Sequence, residues 1–345
     1  MITHQSPLRV GVAGASYAQG THLPVYAALA EEGVVELVAV ATAHRETADA
    51  VAEKFGTRAH VGFEALCADP EVDLVDVATR PSLHREMVLA ALAAGKHVLC
   101  EAPLAPTVAD GEAMLGAVGD RTAVVDMQSR FRPGLAELRR LVRDGFVGRV
   151  DNVSVQALYP TFTQPAAVAG SGWCADPRYG ASSLRVHGLH TTDLLRWTFG
   201  ELTDVRGTVA TREPEWTGGI PATSVDSAAY TARTADGAVV SVHTSWVARF
   251  GAGFRMVVHG SAGMLLAEAD GHTGHFPVRL TGARTGDDGP RELVPATGDA
   301  TAPFAALIRA VAAGDHTDLP TFADGVAALR VAAAVEMPGP VEEGP

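Results

Sequence analysis

Several residue types are scarce in this chain of 345 residues, and each scarcity excludes a class of protein. The three cysteines stand far apart without a Cys-x-x-Cys pair, which excludes a disulfide framework or zinc knuckle and favours a reducing compartment. No apolar run approaches the roughly 18 residues that a membrane helix needs, and the first ten residues lack a signal-peptide pattern. We therefore expect a cytoplasmic protein without a membrane partner.

Positive charge is also in short supply. Only two of the 27 basic residues are lysines, Lys54 and Lys96, and 40 acidic residues bring the net charge to −13. Such a chain repels a phosphate backbone, so we expect no nucleic-acid partner. Apolar residues make up 47% of the chain, enough for a core, and the length favours two domains.

The order of predicted elements changes along the chain. Residues 1–126 alternate short apolar strands with amphipathic helices, which predicts a doubly wound parallel sheet of the Rossmann type. Residues 127–336 carry longer alternating runs joined by turns such as Asp236-Gly237, which predicts an α+β domain with an open, mostly antiparallel sheet. Residues 337–345 predict a disordered tail.

A glycine-rich turn, VGVAGASYAQGTHLP, links the first strand to the first helix. Against the dinucleotide motif GxGxxG, Gly14 fits the first glycine, whereas Ser16 and Gln19 replace the second and third. If a dinucleotide binds, we expect Gly14, Ser16, Tyr17 and Ala18 to contact it. Two other interpretations stay open: a turn without a ligand, and a nucleophile elbow at Ser16, which would need glycine at Ala18.

The end of the second predicted strand bears on cofactor choice. An NAD-binding fold usually carries a carboxylate there for the ribose 2′-hydroxyl, but this chain has Thr42, followed closely by Arg45. Both could bind a 2′-phosphate, so NADP is favoured and NAD is possible. Arg45 could equally be a solvated residue in the first turn of a helix.

Two longer stretches, ATRPSLHREMVLAALAAGKHVLCEAPLA and GASSLRVHGLHTTDLLRW, resemble motifs of the glucose-fructose oxidoreductase, inositol dehydrogenase and rhizopine-catabolism family, Gfo/Idh/MocA. The resemblance runs from about Leu8 to Val335. It implies a Rossmann domain followed by a sheet domain that binds substrate and often mediates oligomer contacts. We therefore expect a homo-oligomer, either a dimer or a tetramer.

The resemblance also implies cofactor contacts after the third and fourth predicted strands. These would come from Thr79 and Arg80, where Arg80 replaces a proline usual in the family, and from His84 at the start of the following helix. Glu101 and Pro103 would continue the cofactor site.

Two family residues are missing from the chemistry that the resemblance implies. Ala102 stands where the family has the lysine of Glu-Lys-Pro, and Val186 stands where it has the aspartate of D-x-G-x-H. His190 remains as the candidate proton donor or substrate ligand, with Asp193 one helical turn along to orient it and His187 as a possible helper. Losing one general acid or base typically costs about 10²- to 10⁴-fold in rate.

Three further residues fall where the family binds substrate: Arg130, Trp173 and Tyr179. Arg130 could instead be salt-bridged, and Trp173 could be packing. Although His187 and His190 share a helix face, we expect no metal site there.

The first functional hypothesis is an NAD(P)-dependent oxidoreductase of a sugar, a cyclitol or a related carbonyl or imine. The alternative is a redox-inactive dinucleotide or ligand sensor on the same fold, because the CEAPL segment, with Ala102, resembles a co-repressor branch. A non-redox lyase is a minor third interpretation. Ala102→Lys separates the first two, since only an enzyme should gain turnover.

Overall fold

The computed structural model of the protein describes residues 6–164 and 170–337. The chain divides into two compact units. The first contains the chain up to Gln128, Arg178–Gly180 and Thr301–Ala327; the second contains Ser129–Pro177, Ala181–Ala300 and the chain from Ala328. The chain thus returns twice to the first unit after the boundary expected at residue 126. Except for Met337, the predicted tail lies outside the described residues.

The first unit contains a six-stranded parallel sheet in the order β3-β2-β1-β4-β5-β6. This confirms the predicted Rossmann fold, in which ligands bind at the carboxyl ends of the strands, near the place where the strand order reverses. That place lies between β1 and β4. The strands are β1 (Leu8–Ala13), β2 (Val35–Thr42), β3 (Arg58–Val61), β4 (Leu74–Val77), β5 (His97–Cys100) and β6 (Ala123–Val125).

Helices connect these strands and begin or end where the sequence indicates. The second helix ends at Gly56, which has a left-handed φ of 67°, and the fifth begins at Thr107, whose hydroxyl accepts from the Asp110 N–H. The helices are α1 (His22–Glu31), α2 (Arg45–Phe55), α3 (Phe63–Ala68), α4 (Pro81–Ala93) and α5 (Val108–Gly116). Strand β3 and helix α3 were not predicted, because each is too short to show a period.

The second unit contains an eight-stranded sheet in the order β16-β15-β14-β13-β7-β12-β11-β8, and a separate pair, β9 and β10. Its neighbouring strands pair antiparallel except β7 and β12, which are parallel. The mostly antiparallel prediction is confirmed. The strands are β7 (Val150–Leu158), β8 (Thr203–Ala210), β9 (Glu215–Trp216), β10 (Ile220–Pro221), β11 (Ser227–Arg233), β12 (Val239–Ser245), β13 (Gly253–Gly260), β14 (Gly263–Ala269), β15 (Arg279–Arg284) and β16 (Arg291–Val294).

Buried and exposed residues alternate along β7 and β12, so one face of this sheet packs on a core. The remaining helices are α6 (Pro133–Arg143), α7 (His187–Phe199), α8 (Ala302–Ala313) and α9 (Phe322–Glu336). Of these, α6 and α7 belong to the second unit and α8 to the first, whereas α9 begins in the first and ends in the second.

Candidate functional site

The turn after β1 requires glycine at position 14. Gly14 has a φ of +112°, and a Cβ built there would lie 2.3 Å from the carbonyl oxygen of Ala78. Its N–H donates to the carbonyl of Ala41 at 2.9 Å. There is therefore no room for a side chain at position 14, which lies at the carboxyl ends of β1 and β4. A dinucleotide pyrophosphate needs close backbone approach at this place.

The rest of the turn is held by its own hydrogen bonds. The Gly20 N–H and the Thr21 hydroxyl both donate to the carbonyl of Tyr17, and the Thr21 N–H donates to that of Ala18. Ser16 and Tyr17 are exposed, whereas Ala18 is fully buried. Of the predicted cofactor residues in the turn, Ser16 and Tyr17 are accessible to a ligand, while the Ala18 side chain belongs to the core.

Thr42 and Arg45 lie at the end of β2, as predicted. The Thr42 hydroxyl donates to the carbonyl of His44 at 2.8 Å. The Arg45 side chain is 62% exposed and pairs with Asp49 one turn along α2, at 3.2 Å. Because exposed ion pairs contribute little, the Arg45 guanidinium can exchange Asp49 for a ligand phosphate.

Arg80 and Thr79 follow β4. The Arg80 guanidinium carbon lies 5.5 Å from the ring centroid of Tyr179, a residue that belongs to the first unit. The Thr79 hydroxyl contacts the sulfur of Met87 at 3.5 Å. Tyr179, predicted to bind substrate, therefore contacts a predicted cofactor residue of the Rossmann unit.

The His84 ring joins two segments of the first unit. Its Nδ1 lies 3.1 Å from the carbonyl oxygen of Pro103 and its Nε2 lies 3.1 Å from that of Thr79, and the ring is fully buried. Burial lowers its pKa despite these carbonyls. His84 thus links the segments that follow β4 and β5, and its contact with a cofactor stays a prediction.

A buried group of charged side chains lies at the same edge of the sheet, and sequence analysis missed it. His22, the first residue of α1, contacts Asp76 of β4, Glu101 after β5 and Asp126 after β6. Within the described ranges, only His22, Glu101 and Asp126 have the spacing of a three-residue metal site. Asp76 was the available signal, since it interrupts an otherwise apolar strand.

In the second unit, Arg130 and Asp193 form a buried ion pair. The Arg130 Nε donates to Asp193 Oδ2 at 2.8 Å, a second guanidinium nitrogen donates to Oδ1, and the guanidinium lies 5.8 Å from the Trp197 ring centroid. The salt-bridged interpretation of Arg130 is confirmed. Both Asp193 oxygens accept from Arg130, so this ion pair is an observed role of Asp193, and its orienting contact with His190 stays a prediction.

Four imidazoles meet in the second unit. The ring centroids of His187 and His190, from the first turn of α7, lie 5.1 Å and 4.5 Å from that of His272, which lies 5.8 Å from His275. Tyr159 contacts His187 edge-on at 5.3 Å. The histidines at 272 and 275 were not predicted, because they follow β14 in a segment without a recognisable motif.

The inner three imidazoles are kept neutral by their surroundings. Burial, followed by the neighbouring histidines, lowers the pKa of His190 to about 3 and that of His187 to about 4, and holds the pKa of His272 well below its ordinary value. The Nδ1 atoms of His187 and His190 have no hydrogen-bond partner among the described residues. The Gly274 N–H faces Nδ1 of His272 at 3.2 Å, which leaves the ring proton of His272 on Nε2.

Arg132 and Ser129 hold the segment that carries His272. The fully buried Arg132 guanidinium donates to the carbonyls of Thr273, Gly274, Asp299 and Ala300. The Ser129 hydroxyl lies 2.8 Å from the Thr273 hydroxyl. The His272 segment is therefore rigidly attached within its unit.

Trp173 packs against an aromatic cluster in the same unit. Its neighbours include Phe162, stacked on Trp216 at 4.0 Å, and Trp246, edge-on to Phe162 at 4.8 Å. The packing interpretation of Trp173 is thus confirmed. Phe162 also lies parallel to His187 at 6.4 Å, so the aromatic cluster adjoins the histidines.

Comparison with known proteins places these features in a family. The profile described as "Oxidoreductase family, NAD-binding Rossmann fold" matches residues 8–128, and that of the "GFO/IDH/MocA C-terminal domain" matches residues 135–266. A dTDP-3,4-didehydro-2,6-dideoxy-alpha-D-glucose 3-reductase of Streptomyces violaceoruber is 31% identical over 88% of this chain and 85% of its own length. Levoglucosan dehydrogenase of Pseudarthrobacter phenanthrenivorans is 30% identical over 60% of this chain and only 55% of its own length.

Solved structures agree with the fold. Levoglucosan dehydrogenase in complex with NADH and levoglucosan has a TM-score of 0.83 at 25% identity, covering 95% of this chain and 96% of that one. A super-repressor mutant of Gal80p from Saccharomyces cerevisiae has a TM-score of 0.86 at 18% identity, covering 96% of this chain and 95% of that one, which shows the fold alone. Across the described residues, no helix is long and apolar enough to cross a membrane. The chain belongs to the Gfo/Idh/MocA oxidoreductase family, with its NAD-binding Rossmann fold.

Proposed function

We propose that this protein is an NAD(P)-dependent oxidoreductase of a sugar, a cyclitol or a related carbonyl or imine. The observation that carries the proposal is the turn at Gly14, where a left-handed φ and a 2.3 Å approach to Ala78 leave room only for backbone. Family membership supports it, as do the relatives whose names describe sugar dehydrogenases and reductases.

The first unit has groups that fit a dinucleotide. Ser16 and Tyr17 are exposed beside the Gly14 turn, and the Thr21 side chain donates to Tyr17 rather than capping α1, so its oxygen does not occupy the helix N-terminus. Thr79, Glu101 and Pro103 would extend the contact along the carboxyl edge. A nicotinamide dinucleotide, when bound, supplies hydride transfer.

The preference for NADP rests on Thr42 and Arg45. The Arg45 guanidinium is solvated, and it pairs with an exposed carboxylate, Asp49, so a 2′-phosphate would gain a charge-assisted contact at little expense. No carboxylate side chain stands at position 42 to repel it.

The proton is handled by His190 in this proposal. A neutral imidazole accepts a proton from a substrate hydroxyl or hydrogen-bonds to it, but it does not hold a proton to donate at neutral pH. This revises the expected role of proton donor. With Ala102 and Val186 at the usual lysine and aspartate positions, His190, His187 and His272 form the remaining polar apparatus.

A ligand sensor without redox activity is the second candidate, and Ala102 is the observation that favours it. A sensor would bind dinucleotide without turnover, and Ala102→Lys would not create any. In an enzyme, the same substitution should raise the rate of alcohol oxidation, because lysine can take the hydroxyl proton.

We also propose a cytoplasmic homo-oligomer, a dimer or tetramer, formed through the solvent-facing side of the eight-stranded sheet. The side chains of that face are exposed along β7 and β12, and a twofold dimer would cover the same patch on both subunits. Sedimentation velocity across a range of protein concentrations would test the state of assembly.

The first experiment is calorimetric titration of the purified protein with NAD⁺, NADH, NADP⁺ and NADPH. Micromolar binding with NADPH favoured is expected, and Arg45→Ala should remove the preference by about tenfold. Arg309→Ala is the matched control, since Arg309 also forms an exposed ion pair, with Glu32, in the same unit. Absence of binding by all four forms at millimolar concentration would overturn the redox proposal.

If a dinucleotide binds, turnover is measured with a panel of polyols, ketoses and cyclic imines. His190→Gln should lower the rate by about 10²- to 10⁴-fold while dinucleotide affinity stays unchanged. Equal rates in wild type and His190→Gln would remove His190 from the chemistry. Tight binding without turnover of any substrate, in wild type and in Ala102→Lys, would favour the sensor.

A further inference from the structure

The His22 ring is surrounded by carboxylates at the carboxyl edge of the first-unit sheet. Its Nδ1 lies 2.8 Å from Asp76 Oδ2, and its Nε2 lies 2.9 Å from Glu101 Oε1 and 3.4 Å from Asp126 Oδ2. The His22 side chain is 2% exposed. Both ring nitrogens are therefore directed at acidic oxygens from three strands of one sheet.

This geometry favours a charged ring. Nδ1 forms a hydrogen bond with Asp76 Oδ2, and Nε2 lies within ion-pair distance of Glu101 and Asp126, so an imidazolium, with a proton on each nitrogen, meets carboxylates on both sides. Burial alone would lower the pKa of His22, but attraction to Asp76 and the hydrogen bonds to Asp126, Asp76 and Glu101 raise it well above its ordinary value.

Aromatic neighbours fix the orientation of the ring. His22 stacks on Phe304 with 4.1 Å between centroids, and Tyr17 contacts its edge at 5.8 Å. The Tyr26 hydroxyl donates to the same Asp76 oxygen, at 3.0 Å, and so fixes the acceptor as well. The imidazolium can neither rotate away from its partners nor leave without breaking these contacts.

Glu101 connects the His22 ring to the segment that follows β5. One Glu101 oxygen faces His22, and the other accepts from the N–H of Ala102 at 3.2 Å. Ala102 stands where the family resemblance places a lysine. The Glu101 carboxylate is thus held by the His22 ring on one side and by the Ala102 N–H on the other.

We infer that His22 is a positioning residue, a buried imidazolium that joins Asp76 to Glu101 and thereby holds the Glu101–Pro103 segment in place. The effect of His22 on turnover rests on the proposed function. The charge of its ring and its effect on the Ala102 amide are independent of that proposal. No covalent step is involved. A structural histidine elsewhere in the unit would have no such effect on this segment.

The charge of the ring is tested by nitrogen-15 NMR of the histidine-labelled protein, with His22→Gln used to assign the signals. We expect both His22 nitrogens to show the protonated shift from pH 6 to pH 8.5. A singly protonated ring at pH 7 would overturn the inference, because a neutral ring cannot donate a proton toward carboxylates at both nitrogens. Stoichiometric Mn²⁺ that broadens these signals would also overturn it, by showing a metal site in place of the bridge.

The hold on the segment is tested by hydrogen exchange at the Ala102 amide. His22→Gln should speed exchange by at least tenfold and weaken dinucleotide binding, whereas His60→Gln should change neither. His60 is the matched control because it also pairs with a carboxylate of the first unit, Asp69, at 2.9 Å. Unchanged Ala102 exchange in a folded His22→Gln protein would overturn the positioning role.

A second variant keeps the test open if His22→Gln does not fold. Asp126→Asn preserves the shape of the side chain and removes one of the three charges, so the His22 ring should lose its second proton at a lower pH than in wild type. An unchanged titration would contradict the bridge. If wild type binds no dinucleotide, the proposed function fails, while the NMR and exchange results still decide the inference.

Discussion

The two units treat buried histidines in opposite ways. In the first unit, His22 lies among Asp76, Glu101 and Asp126, and its pKa is raised well above the ordinary value. In the second, His190 has neighbouring histidines in place of carboxylates, and burial lowers its pKa to about 3. Burial pushes the proton off in both places, so the neighbouring charges decide the outcome. One ring is therefore charged and suited to holding an anion in place, whereas the other is neutral.

The buried ion pair of Arg130 and Asp193 tests this comparison most directly, because it places charges in the unit whose buried histidines are neutral. Asp193→Asn leaves the Arg130 guanidinium buried without its full counter-charge, which should lower the free energy of unfolding by about 3 to 5 kcal/mol. Urea unfolding followed by circular dichroism measures the change.

The paired replacement completes the test. Arg130→Met with Asp193→Leu removes both charges, so the double variant should recover most of the lost stability. A double variant as unstable as Asp193→Asn alone would show that packing, rather than charge compensation, protects the pair. The second unit would then differ from the first in its packing rather than in the charged neighbours of its buried groups.

The next contact to remove is the hydrogen bond from the Tyr26 hydroxyl to Asp76. Tyr26→Phe removes a buried hydrogen bond to a charged acceptor and should lower the free energy of unfolding by about 1.5 to 3 kcal/mol. Tyr230→Phe is the matched control, because its buried hydroxyl forms a hydrogen bond with the neutral hydroxyl of Thr192, at 3.0 Å. A Tyr230→Phe change as large as that of Tyr26→Phe would indicate that the charge of Asp76 adds nothing.

The fold could be predicted from the sequence further than the sites could. Apolar strands alternating with helices predicted the Rossmann sheet, because period and burial are local properties of the chain. The Gly14 turn was predicted for the same reason. Short elements without a full period, such as Arg58–Val61 and Phe63–Ala68, were missed.

The sites depend on residues that are distant along the chain. His22 and Asp126 are separated by five strands along the chain, and His272, which follows β14, contacts His190 of α7. The motif identified His190 and Asp193 but not the ion pair of Asp193 with Arg130, since spacing on one helix cannot reveal a partner from another segment. Such groupings are set by tertiary packing, which a linear motif does not encode.

The smallest effect expected is the acid response of the neutral histidines, which runs opposite to that of His22. Because the pKa of His190 is lower in the folded chain than the ordinary 6.5, only the unfolded chain takes up this proton between pH 6.5 and about 3. The free energy of unfolding therefore falls on acidification, by less than about 1.4 kcal/mol per pH unit for this partly exposed ring. For His22 the raised pKa contributes stability in full below pH 6.5 and loses it as the pH rises through the folded value.

His190→Phe removes the acid response of one ring. The slope of unfolding free energy against pH between 6.5 and 4.5 should become shallower than in wild type. The control is His243→Gln, which changes an exposed residue of β12 and should leave the slope unchanged. Urea titrations at four pH values measure the slopes. A His190→Phe slope equal to that of wild type would mean that the ring is protonated in the folded chain, and the contrast with His22 would then lose its physical basis.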